Sequence, residues 1–242
     1  MANLVTMSPF DTRLGRLARV TLACAVAAST VALAGCDEEA PPFPEGQGQS
    51  SNPSARYPQG PYGIEKGSVI QNYKFVGFPD PLADKENAVE IQLADFYNPS
   101  GDELYEAGSK YGEGTPKPRA LLINIAAVWC GPCQFESKEI LPEEYEKYRP
   151  RGAQFLLELA DGPNVGEPAE FSHLVSWTTK YKTAWPSAID PSYKLSALFE
   201  ADAFPANILI DTSTMEIVSV VAGVPESGDD FFKSLDALLE PE

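Results

Sequence analysis

Downstream of Pro118 the apolar positions fall into blocks of alternating length and period. ALLINIAAVW (120–129) is a continuous apolar run, as expected of a strand covered on both faces. In the mostly polar segment that follows, Phe135, Ile140, Leu141, Tyr145 and Tyr148 are spaced for one face of a helix over 132–148, which Pro142 should kink. AQFLLELA (153–160) reads as a second buried strand, and a helix is expected over about 167–181, with a shorter one near 192–199. ANILID (206–211) and EIVSVVAG (216–223) form two strands joined by a turn at 212–214, and ESGDDFFKSLDALLE (226–240) closes as an amphipathic helix. Strand, helix, strand, helix, strand, strand, helix defines an α/β sandwich with a central mixed β-sheet.

Upstream the pattern weakens. In AVEIQLADFY (88–97), Val89, Ile91 and Leu93 alternate as in a strand, and GSKYGEGTPKPR (108–119) reads as a loop. Residues 67–118 are therefore expected as an irregular N-terminal elaboration packed on a domain covering 119–242. DEEAPPFPEGQGQSSNPSARYPQGPYGIEK (37–66) is dense in Pro, Gly, Ser and Gln without hydrophobic period, so 36–66 is expected to be a disordered tether. Its root-mean-square reach as a flexible coil would be roughly 30 Å.

The first 35 residues have the form of a signal peptide. Arg13, Arg16 and Arg19 precede an apolar small-residue segment at 20–34, too short for a comfortable membrane span. LAGC (33–36) resembles the bacterial lipobox, which implies lipid attachment at Cys36; an ordinary secretory signal or short anchor is the alternative, and each exports the domain. Asp37 resembles a retention signal for the inner membrane of some Gram-negative bacteria. The expected location is a bacterial membrane surface, facing the periplasm or the exterior.

Across 242 residues, 35 acidic and 18 basic side chains give a formal charge of −17, which argues against nucleic acid as a partner. Removing residues 1–35 would leave 34 acidic and 15 basic side chains, or −19. It would also leave Cys36 for lipid and one other pair, Cys130 and Cys133, in a compartment where disulfides persist.

A Cys-x-x-Cys pair serves zinc, haem or redox chemistry. A structural zinc site needs four ligands, and with His173 the only histidine an all-Cys/His set cannot be completed. Covalent haem attachment needs histidine after the second cysteine, where this chain has Gln134. Redox chemistry survives, with no cofactor and no metal. Cys130 should end a strand and open a helix, whose free N–H groups and dipole stabilise a thiolate, making it the exposed nucleophile; Cys133 would then resolve the mixed disulfide. Pro132 suits a first helical turn. Trp129 offers either a wall beside the sulfurs or simple packing at a strand end.

At WCGPC, which includes Gly131 and Pro132, the sequence resembles the thioredoxin superfamily and is identical to thioredoxin's own motif. The resemblance spans about 120–239 and implies a thioredoxin-like three-layer sandwich. It also implies a cis-proline facing the cysteines; Phe204-Pro205 stands at that place, with a trans proline opening an edge strand as the alternative. The exported TlpA/ResA-like members look most similar, sharing an N-terminal elaboration and extra structure before the cis-proline, consistent with 75 residues from Cys130 to Pro205. They imply thiol-disulfide oxidoreductase activity, usually reduction fed by a membrane or periplasmic electron donor, with cysteine-containing exported proteins as clients.

Cytosolic thioredoxin has a buried aspartate six residues before the first cysteine, where this chain has Asn124, which cannot take a proton from Cys133. Glu158, interrupting FLLELA, is a candidate acceptor if buried; a strand-end or paired carboxylate is the alternative. His173 is expected to be a surface or helix-packing histidine rather than a catalytic one. Two other activities match the sequence less well. A Sco-type copper chaperone spaces its cysteines by three residues and puts its histidine further along, and a peroxiredoxin-like peroxidase needs a threonine and arginine around a differently placed cysteine.

Overall fold

The computed structural model describes residues 53–198 and 203–240. The signal peptide, Cys36 and the tether up to residue 52 lie outside the described residues.

Seven strands form one mixed sheet. They are β1 (Lys74–Phe78), β2 (Val89–Gln92), β3 (Ala120–Ala127), β4 (Ala153–Asp161), β5 (Ser187–Ile189), β6 (Ala206–Asp211) and β7 (Glu216–Ala222), in the order β2-β1-β5-β4-β3-β6-β7. β3, β4 and β5 run parallel, and the outer pairings are antiparallel. All eight residues of β3 are buried, as its unbroken apolar run requires.

Alternation along the strands divides the core in two. One face, with Leu122, Ala126, Phe155, Leu157 and Leu209, packs against Cys130, Cys133 and the helical layer. That layer contains α2 (Gly131–Phe135), α3 (Leu141–Tyr148), α4 (Phe171–Tyr181) and α5 (Asp230–Leu238). The other face, with Leu121, Ile123, Ile125, Leu156 and Ile208, is covered by Tyr57, Ile70, Leu93, Phe96, Leu195 and Leu198. This third layer is made of short turns, among them the four-residue α1 (Pro53–Arg56).

The N-terminal region departs from expectation in two ways. Part of the segment expected as a tether is structured, with Pro53–Arg56 forming a short helix. Tyr57 is 3% exposed and donates from its hydroxyl to the Ile70 carbonyl at 2.8 Å, while Arg56 pairs with Glu103. Two aromatic contacts, to Tyr62 and Tyr97, supply burial that composition alone did not reveal. Residues 67–118 also do more than pack on the domain: β1 and β2 extend its sheet through pairing of β1 with β5. The strand expected over 88–97 stops at Gln92, where Leu93–Phe96 turn into a 3-10 helix capped by the side chain of Asp95, which accepts the Gln92 N–H at 3.0 Å.

Pro142 leaves its expected mark. It occupies the first turn of α3, and immediately before it Glu136–Ile140 widen into a π turn in which the Leu141 N–H donates to the Glu136 carbonyl five residues back. The buried face differs from the predicted one: Phe135 is 53% exposed, whereas Glu136 and Ser137 are buried. α4 starts four residues late, capped by Glu170, whose N–H donates to His173 Nδ1 at 3.1 Å. His173 is thus a capping side chain.

Candidate active site

Cys130 ends the β3 connection with extended backbone and is the N-cap of α2; its sulfur accepts the Cys133 N–H at 3.1 Å. The two cysteines are joined by a disulfide, with Cα atoms 5.3 Å apart. Gly131 and Pro132 are exposed at the helix start, where a missing proline N–H costs nothing. The expected exposure of Cys130 is not found. It is 2% exposed and Cys133 fully buried, because both lie within the core cluster against which Trp129 and Phe204 pack.

The Phe204-Pro205 peptide bond is cis. The Phe204 ring meets Trp129 edge-on, with centroids 5.9 Å apart. The Trp129 indole N–H donates to Asp161 Oδ2 at 2.8 Å, so this tryptophan is oriented by a polar partner as well as packed.

The largest omission of the sequence reading is Glu136. It lies one turn beyond Cys133 on the same helix, at the i, i+3 spacing that puts two side chains on one face, and it is fully buried. Asn124 Nδ2 donates to Glu136 Oε2 at 2.7 Å, and Asn207 Nδ2 donates to Oε1 at 2.7 Å. Asn124 also donates to Asn207 Oδ1 at 3.0 Å; the two are direct cross-strand partners in β3 and β6. Burial pushes the Glu136 carboxyl up to about 7, against the downward pull of the two amides. Asn124 thus holds a buried carboxyl that can gain and lose a proton near neutrality. Two signals pointed there: the three-residue step from Cys133, and an amide inside a buried strand that needs a partner.

Glu158 requires a correction. It is neither at a frayed end nor paired: it is fully buried inside β4, and neither oxygen has a hydrogen-bond partner among the described residues. Burial, and after it the charge of Asp190, push its carboxyl well above the usual range, opposed by Lys194. However, it alternates with Leu156 and Ala160, whose side chains belong to the core on the face opposite the cysteines. The sheet separates it from Cys133, so it cannot serve as that thiol's proton acceptor.

Among the described residues no group of three or more His, Cys, Asp or Glu side chains is placed to hold a metal ion. The mixed sheet, the disulfide at a helix N-terminus and the cis-proline just before β6 define a thioredoxin-fold protein with a disulfide centre. No family model matches the sequence, and no curated protein does. Solved structures do match: a Chlorobium tepidum protein assigned as the thiol:disulfide interchange protein DsbE is 18% identical, with 74% of this chain and 100% of that one covered at a TM-score of 0.51. A DsbF homologue from Corynebacterium diphtheriae is 16% identical, covering 75% of this chain and 98% of that one, TM-score 0.48. A secreted thiol-disulfide isomerase from Corynebacterium glutamicum is 18% identical, covering 76% and 96%, TM-score 0.47.

Proposed function

We propose that the chain is a thiol-disulfide oxidoreductase that reduces disulfides in exported proteins. The observation that carries this reading is the Cys130–Cys133 disulfide at the start of α2 with the Glu136 carboxyl, near pKa 7, one turn behind it. In the reduced protein, the Cys130 thiolate attacks one sulfur of a client disulfide. That bond breaks, a mixed disulfide forms, and the departing client thiolate takes a proton from solvent. Cys133 passes its proton to Glu136 and attacks the Cys130 sulfur; the second client thiolate leaves, and the pair ends oxidised with two electrons transferred. A thiol donor in or at the membrane must then reduce the pair again. LAGC at 33–36 supports export and lipid attachment at Cys36, which would hold this chemistry at a membrane surface.

Insulin reduction by the purified protein, with Cys130→Ser as control, tests the activity: the wild type should turn over and the variant should not. The direction is tested by equilibrating the pair with a glutathione or dithiothreitol couple. The expected potential lies nearer thioredoxin's, about −270 mV, than DsbA's, about −120 mV, and a value at the oxidising end would sink the reductase assignment.

A further inference from the structure

The connection leaving β5 folds into a tight turn built around Asp190. Its Oδ2 accepts the Leu195 N–H at 3.1 Å, and its carbonyl accepts the Tyr193 N–H at 3.0 Å. Within that turn Tyr193 has φ 52°, a left-handed conformation that bulky side chains rarely adopt and that tends to mark functional segments. The turn delivers the Tyr193 hydroxyl to Asp161 Oδ1, to which it donates a hydrogen bond. Asp161 Oδ2 accepts two more, from the Trp129 indole at 2.8 Å and from the Gly166 N–H at 2.9 Å. Asp161 is 2% exposed and sits at the end of β4, just past the register shift where Ala127 becomes its partner. Three segments otherwise distant in sequence thus converge on one carboxylate.

The far end of the same connection returns to the same indole, since Phe204 packs edge-on against Trp129 just before Pro205. A chain of contacts therefore runs from Tyr193 to Asp161, to Trp129, to Phe204, through the residue that precedes Cys130. Burial and the nearby Asp161 push the Tyr193 phenol up to about 12, so it stays a donor at physiological pH. We propose that Tyr193 is a positioning residue of the dithiol site: acting through Asp161, it fixes the Trp129 indole beside Cys130 and thereby governs how a polypeptide disulfide is received. This rests on the thiol-disulfide reading above. The sulfur chemistry itself is assigned to the cysteines and Glu136, and Tyr193 acts only through the Asp161 carboxylate.

Tyr193→Phe keeps the ring and deletes only the donor. Three readouts on the purified protein decide the matter: the Trp129 indole N–H resonance and its solvent exchange, insulin-reduction kinetics, and the rate at which dithiothreitol reduces the Cys130–Cys133 disulfide. Losing a hydrogen bond to a charged group should speed indole exchange and raise KM for insulin, each about tenfold, with kcat and the dithiothreitol rate essentially unchanged. Asp161→Asn should move the same two quantities in the same direction. An unaltered indole overturns the inference, and so does an altered indole with an unaltered KM, which would make Tyr193 a brace only. A wild type no more active than Cys130→Ser sinks the activity and this inference with it; an active wild type matched by Tyr193→Phe in every readout sinks the inference alone.

Discussion

Glu136 carries the sharpest expectation at the scale of single residues. Its carboxyl sits near 7 because burial outweighs the two amide hydrogen bonds, so its proton-accepting form grows as pH rises through neutrality. The resolving step should therefore speed up over about pH 6 to 8, and Glu136→Gln should remove that pH dependence and lower turnover by about a hundredfold, checked by stopped-flow decay of a mixed disulfide. The two sulfurs were legible from their spacing, and the cis-proline position and Asn124 from the resemblance to thioredoxin. Glu136 was not, because a carboxylate in a charged helical segment looks like surface until its partners in two strands are known. Glu158 was legible as an anomaly, but its irrelevance to Cys133 became evident only once the faces were assigned.

Among the elements, the long apolar strands were readable from their runs, and the short ones were not. β5 has three residues and follows Pro186, too little for any period to register. It is held between β4 and β1, and the β1 contact is close enough to test. A Cβ on Gly77 would lie 2.1 Å from the Ser187 carbonyl oxygen and 2.4 Å from the Ala188 Cα, both backbone atoms that cannot move aside cheaply. Gly77→Ala should lower stability by about 2 kcal/mol or more in urea unfolding, as overpacking does. Gly131→Ala is the matched control: a Cβ there meets nothing within 4 Å, so the unfolding midpoint should stay put. A Gly77→Ala protein as stable as the wild type would mean that β1 and β5 are not packed this tightly. The π turn had half a signal, Pro142, which announced a break without saying where it would fall or that Glu136 would be buried and Phe135 exposed.

For the molecule as a whole, two buried carboxyls set how stability varies with pH. Glu136 and Glu158 both bind a proton more tightly folded than unfolded, where the usual value is 4.5. Their contribution is thus complete below about 4.5 and is lost as pH rises, through about 7 for Glu136. For Glu136 the stake is on the order of 3 kcal/mol. Thermal melts should show Tm falling between about pH 5 and pH 8, and Glu158→Gln, the uncharged isostere, should flatten that slope; an unchanged slope would mean that Glu158 finds a partner in solution. The α/β class and the sheet's centre followed from hydrophobic pattern. The seventh-strand width did not, since the residues that widen it looked irregular one segment at a time and make sense only as partners of one another.

The cross-strand pairing of Asn124 with Asn207 has one last consequence, for anyone who would move this centre elsewhere. The ten residues AVWCGPCQFE contain both sulfurs and the carboxylate, and would be the natural piece to transplant into another thioredoxin-like scaffold. Alone they would arrive with Glu136 facing whatever the host's sheet presents, its pKa set by strangers. The portable unit is that loop together with amides at two positions far apart in sequence, on neighbouring strands in one particular alignment; a host slipped by one residue would inherit the disulfide and lose the two amides that hold Glu136.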